Sequence, residues 1–142
     1  RTLLKGAVIY HCGPLVKNTE NGWEILAAGP TTSIRMEAYT ADFIREFGIR
    51  AIIGKGGMGA ATQKALNDHG CVYLQAVGGA AVLLASAIRK VNGVHLLELG
   101  TTEAMWELEV EDMQCIATMD SHGNSLYDKV KEESQRNYEQ IT

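Results

Sequence analysis

Three times this chain runs from a short apolar stretch through a glycine-rich or Gly-Pro turn into a helix-forming segment. A chain that alternates strand and helix in this way is restricted to α/β architectures, because each helix must cover a sheet built from the preceding strands. The first junction is Gly29-Pro30-Thr31-Thr32-Ser33-Ile34-Arg35, the second Gly54-Lys55-Gly56-Gly57-Met58-Gly59, and the third Gly78-Gly79. A helix start presents unpaired backbone N–H groups and the positive end of a dipole, so it receives anions. Arg35 at one start and Lys55 at another point to a pocket for a small, doubly negative ligand.

With 142 residues, 46% of them hydrophobic, the chain is expected to form one domain spanning residues 1–142. A formal net charge of −4 argues against nucleic acid and anionic membrane as general partners. No apolar run approaches the roughly 18 residues that a membrane span needs. Arg1-Thr2-Leu3-Leu4-Lys5-Gly6 lacks the apolar region of a signal peptide, so a cytoplasmic location is expected. Cys12, Cys71 and Cys115 are odd in number and scattered, which argues against a disulfide framework. Without a C-x-x-C spacing they are read as buried structural thiols, and no metal site is expected within this chain.

Ala7-Val8-Ile9-Tyr10 reads as a buried strand ended by Gly13-Pro14. Lys17–Gly22 reads as a polar turn and Trp23–Leu26 as a second strand, so these two strands are expected to pair as a hairpin. After Thr32 or Ser33 as cap, Met36, Tyr39, Phe43, Ile44 and Phe47 fall on one helical face, and Gly48 stops that helix. A strand over 50–53 leads into the second glycine turn, and a helix over 60–69 ends at Gly70. A strand over 71–77 precedes a helix over 80–91 whose first half, apolar nearly all round, must be central or covered by a partner. Strands over 94–99, 106–110 and 114–119, a turn at Asp120–Asn124 and a charged helix over 125–138 complete a mixed-sheet α/β chain.

Gly54–Gly59 matches G-x-G-x-x-G, but a dinucleotide site needs an acidic residue about 20 positions on. No Asp or Glu occurs from His69 through Leu97, and the Walker spacing is also missing. In the first turn, Arg35 opposes the helix dipole at a cost of up to about 1 kcal/mol. Capping needs one hydroxyl and explains neither the other two nor that charge. An Arg fork matches a carboxylate bidentately, so a ligand role is favoured there. His11 and Cys12 are adjacent on an extended segment and point to opposite faces, which argues for structural roles. His122 and Glu103 are given no part in the chemistry.

Taken together these motifs resemble the β-type domain of the iron–sulfur-dependent class I fumarases and L-tartrate dehydratases. The resemblance runs through Gly29–Glu37, Ile53–Gly59, Val77–Ala81, Leu99–Trp106, Glu109–Asp112 and Asp120–Asn124, nearly the whole chain in the family's order. It implies a single swivelling β/β/α-type domain that pairs with an α-type subunit or domain carrying a 4Fe–4S cluster. That cluster would not be ligated by this chain, and the active site would lie between the two parts. It implies Thr31 as proton-abstracting residue and Lys55 as a second cationic, catalytic contact. Arg35 would bind a substrate carboxylate, and backbone at Gly78 and Gly79 would approach the same ligand. Relatives carry, ahead of the segment matching Lys5–Tyr10, an Arg-Asp and a following His, and that Arg also meets substrate. The chain opens at Arg1 without this stretch, so a missing N-terminal segment is expected.

The activity implied is reversible hydration of fumarate to malate by a hetero-oligomer acting on a small dicarboxylate. Val77–Ala81 and Glu103–Trp106 lean toward fumarases, whereas Met36-Glu37 and Gly54–Gly59 sit equally well in tartrate dehydratases. Three alternatives stay open: a tartrate dehydratase β subunit, a non-catalytic anion- or nucleotide-binding module, and a scaffold that only stabilises its partner.

Overall fold

The computed structural model describes residues 2–141, so Arg1, where the sequence opens, and Thr142 lie outside the described residues. In chain order its elements are β1 (Val8–Tyr10), β2 (Leu15–Thr19), β3 (Gly22–Ala27), α1 (Glu37–Phe47), β4 (Ala51–Gly54), α2 (Ala60–His69) and β5 (Val72–Gln75). These are followed by α3 (Ala81–Ser86), β6 (Ile88–His95), β7 (Met105–Val110), β8 (Ile116–Met119) and α4 (Leu126–Glu139). A 3-10 turn over Ser33–Met36 leads directly into α1.

Four strands form a mixed sheet in the order β1-β4-β5-β8, parallel across the first three and antiparallel at β8. Parallel neighbours need crossovers, and the helices following the glycine turns supply them. α1 packs on α2, and together they close over Ile44, Ile49, Ile52, Leu66, Tyr73 and Met119, none more than 2% exposed. Burying a side chain of that size contributes about 1.5–3 kcal/mol each, so the core of the chain lies at this sheet–helix interface. Gly48 and Gly70 end the two helices in the left-handed conformation that glycine adopts without a Cβ clash, as the sequence indicates. Among the described residues no helix is long and apolar enough to cross a membrane.

Two antiparallel ribbons, β2–β3 and β6–β7, form a second region beside the sheet. They meet through β3 and β6, with the Trp23 and Trp106 rings edge to face at 5.3 Å. α3 rests on both ribbons.

Several expectations are corrected here. The first strand does not form a hairpin with Trp23–Leu26; it pairs in parallel with β4, and the hairpin partner is Leu15–Thr19, much of which reads as a polar turn in sequence. The helix expected over 80–91 is only six residues long, and Ile88 onward is strand. Bulges on β6 add a residue between Ile88 and Lys90 and again between Val91 and Gly93. The inward residues Ile88, Val91 and Val94 therefore recur every three positions and imitate helical spacing. β6 also stops at His95, and Leu97–Leu99 is a 3-10 turn. Tyr39 is exposed and Thr40 buried in its place on α1. Of the three thiols only Cys71 is fully buried; Cys12 and Cys115 are half-buried.

Candidate active site

The first and second turns are laid against each other by backbone. Thr31 N–H donates to the His11 carbonyl at 2.8 Å, Thr32 bridges Lys55 in parallel, and Ser33 N–H donates to the Lys55 carbonyl at 3.0 Å. The segment after Pro30 therefore runs as a short extra strand along the end of β4. Close approach of the two segments requires glycine at position 54, since a Cβ there would lie 1.9 Å from Ser33 Oγ.

Beneath this contact sits a buried polar group. Tyr73 OH donates to Ser33 Oγ at 2.8 Å, and Ser33 Oγ lies 3.0 Å from His11 Nδ1. Because Ser33 accepts from tyrosine, its own hydrogen is free for His11, which must then be neutral at Nδ1. Burial supports that state by holding the His11 pKa below its ordinary value of 6.5. Burial also raises the Tyr73 pKa, so its phenol stays a donor. Ser33 is thus spent on the interior, and neither it nor Thr32 caps a helix: Thr32 makes no side-chain cap bond.

The third turn joins from the ribbon side. Ala28 N–H donates to the Ala81 carbonyl at 2.9 Å, and a Cβ built on Gly29 would lie 3.1 Å from that of Ala81. A Cβ on Gly78 would lie 3.6 Å from Lys55 Cδ. Backbone pairing thus gathers Thr31, Arg35, Lys55 and Gly78 in one neighbourhood, and Gly79 follows with a positive φ of 83°. Thr31 and Lys55 are half-buried, while Arg35, Gly78 and Gly79 are exposed. Arg35 Nη2 donates to Thr31 Oγ1. Among the described residues neither Arg35 nor Lys55 is ion-paired. Two cations and a hydroxyl, with no described carboxylate ion-paired to either cation, can hold a small anion and polarise it. A groove of about 480 Å³ between β3, α3 and β6, lined by Trp23, Val82 and Arg89 among others, is a separate feature.

The expectation that the start of α2 receives the ligand is overturned by Glu37, which the sequence reading gave no role. Its carboxylate accepts from Gly59 N–H at 2.8 Å, from Thr62 N–H at 3.1 Å and from the Thr62 hydroxyl at 2.7 Å. The positive end of α2 is occupied by a charge from the same chain. That occupation also removes the pyrophosphate position that a dinucleotide motif requires there. A faint signal existed in the sequence: no Ser, Thr, Asp or Asn stands just before Ala60, so a cap had to come from elsewhere. Arg35 also lies in the 3-10 turn ahead of α1, and not in that helix's first turn.

The described residues do not offer a ligand set for an iron–sulfur cluster. Among the described residues no three His, Cys, Asp or Glu side chains converge on a metal position. Burial pushes the Cys12 thiol up to about 11, and burial above all raises Cys71 to the same level, opposite to what a thiolate ligand needs. His122 lies in a turn closed on Asp120, whose Oδ1 accepts from the His122 and Asn124 N–H groups at 2.9 and 2.8 Å. That turn is complete in itself.

Residues 2–130 match the family described as fumarase C-terminus. A protein of Geobacillus stearothermophilus provisionally called a fumarate hydratase class I is 57% identical over 132 residues, covering 92% of this chain and 26% of its own length. A provisionally named L(+)-tartrate dehydratase subunit beta of Methanocaldococcus jannaschii is 47% identical over 89% of this chain and 66% of its own length. The L(+)-tartrate dehydratase subunit beta of Escherichia coli is 37% identical over 87% of this chain and 62% of its own length. The chain thus spans about a quarter of the first relative's length, about two thirds of the second's and somewhat less of the third's.

Proposed function

This chain belongs to the fumarase C-terminus family, and on that premise we propose that it is the β-type part of a hydro-lyase that reversibly hydrates fumarate to malate. The observation that carries the reading is the hydrogen bond from Arg35 to Thr31 Oγ1, beside Lys55 and the Gly78 backbone. An alcohol is a weak base near neutral pH. A guanidinium donating to its oxygen favours the alkoxide, which is what a proton-abstracting threonine needs. The guanidinium has five N–H donors, so it can hold Thr31 and still present donors to a carboxylate.

In the dehydration direction the Thr31 alkoxide takes the proton from the carbon next to one carboxylate of malate, and the C–O bond on the neighbouring carbon breaks. The departing hydroxide takes up the proton that Thr31 gives back, leaving as water and restoring the alkoxide. Negative charge grows on that carboxylate as the proton departs, and Arg35 and Lys55 stabilise it where it develops. Gly78 and Gly79, without side chains, leave room for backbone to approach the dicarboxylate. The 4Fe–4S cluster, on this reading, is held wholly by an α-type partner. Two relatives bear the word "subunit" in their names, which supports a partnered enzyme.

L-tartrate is the second reading, favoured by the names of those same relatives. Fumarate is preferred because the relative at 57% identity bears that name. The test is anaerobic purification of the native assembly and hydration and dehydration assays with fumarate and with L-tartrate. Turnover of fumarate supports the proposal, and turnover of tartrate alone replaces the substrate. Arg35→Ala in an intact assembly is expected to lower kcat/KM by about a thousandfold. Full activity in that variant sinks the site assignment.

A further inference from the structure

Glu37 is poorly explained as a helix-capping group alone, because of what it connects. It stands two residues beyond Arg35, while the donors it accepts from, Gly59 and Thr62, begin four residues beyond Lys55. The two cations belong to different strand–turn–helix units. The turn that carries Lys55 contains Gly54, Gly56, Gly57 and Gly59, with positive φ at Gly56 and Gly57. Four glycines in six residues give this run far more conformational freedom than side-chain-bearing residues would, so it cannot fix a lysine by its own stiffness. It is held at one end by β4, in its middle by the Tyr127 ring against Gly57, and at its far end by the Glu37 carboxylate. A Cβ at Gly59 would lie 2.7 Å from Glu37 Oε1, so a side chain there would force that carboxylate to shift.

We propose that Glu37 is a positioning residue for the substrate cations: its carboxylate locks the Lys55 turn at a fixed distance from Thr31 and Arg35. It acts through Gly59 and Thr62 and does not touch the ligand. Its charge has a second effect. A vacant α2 start is itself an anion site, and would draw a substrate carboxylate away from Lys55. The carboxylate of Glu37 denies that position to substrate. This inference rests on the reading of Arg35 and Lys55 as substrate cations.

The test uses the assembled enzyme with Glu37→Gln, which keeps size and loses charge, and Thr62→Val, which removes one of the three hydrogen bonds and keeps shape. The KM for fumarate is expected to rise about tenfold or more in Glu37→Gln, and by less in Thr62→Val, as misplacement of a contact group by a fraction of an ångström would produce. Peptide-resolved hydrogen exchange is expected to quicken over residues 55–62 and to stay unchanged over 71–75. An unchanged KM with fewer active molecules, or exchange that quickens evenly along the chain, makes Glu37 an ordinary stability contact and overturns the proposal. If Glu37→Gln does not assemble, Thr62→Val decides by the same two readouts. The exchange result needs no turnover, so it separates failure of the clamp from failure of the hydro-lyase reading, which Arg35→Ala tests by itself.

Discussion

Two helix starts with the same sequence grammar end in opposite conditions. At α2 the glycine turn delivers a row of free N–H groups, and a carboxylate from 22 to 25 residues away fills it. At α1 the Gly-Pro turn delivers a 3-10 segment with no side-chain cap, and the cation beside it is aimed at a threonine hydroxyl. α4 gives the ordinary case between them, since Ser125 Oγ accepts from Asp128 N–H at 3.3 Å three residues on. An anion-receptive turn becomes a candidate site only where the chain does not satisfy it internally. The functional potential of such turns is decided by tertiary contacts, and their glycines alone do not reveal it.

After Arg35→Ala, the largest expected effect comes from removing the cation at the second turn. Lys55→Met in the assembled enzyme should lower kcat/KM by about 100- to 1,000-fold while leaving the melting temperature nearly unchanged. A large fall in melting temperature instead would assign Lys55 to the fold. Next comes the contact between the turns: Gly54→Ala forces a Cβ against Ser33 Oγ, and should cost about 3 kcal/mol in denaturant titrations. Gly56→Ala meets no atom within 4 Å, but its φ of 81° penalises any side chain by about 1 kcal/mol. Equal losses in the two variants would mean that the interlock of the turns is not what glycine protects. At the ordinary helix start, Ser125→Ala should cost about 1 kcal/mol and leave turnover alone.

The smallest effect is a slope. Burial lowers the His11 pKa in the folded chain, so near and below 6.5 the unfolded chain binds more protons. Stability should therefore decline as pH falls through 6.5 toward the depressed folded value. A His11→Gln variant should lose that part of the slope. Identical pH dependence of the melting temperature in both chains would remove His11 from the account.

The sequence made some of this plain and hid the rest for identifiable reasons. β4, α2 and β5 are legible because apolar runs and glycine stops are local signals, and Gly70 ends α2 where its pattern ends. β6 is not, because bulges shift its inward residues to a spacing of three. β2 is not, because Lys17, Asn18 and Thr19 are polar on an exposed ribbon whose pairing is set by β3. At the site, Thr31, Arg35 and Lys55 can be named from motifs, yet their proximity depends on the Thr32–Lys55 bridge, a pairing of turns far apart in sequence. Glu37 escapes because a cap supplied by another helix leaves no mark within a short window.

The edge-to-face tryptophans have a practical meaning for anyone following this protein by light. The chain has two tryptophans, and both lie where the ribbons meet, one on β3 and one on β7. Among the described residues the sheet carries no tryptophan and is lit by tyrosine, through Tyr10 on β1 and Tyr73 on β5, whose ring meets that of Tyr127. Tryptophan emission therefore reports the parting of the ribbons and is blind to the sheet beneath. Far-ultraviolet dichroism, dominated by α1, α2 and α4, reports the helical layer. Two spectra taken in one experiment thus follow two different halves of the fold, and any gap between their midpoints measures how tightly those halves are joined.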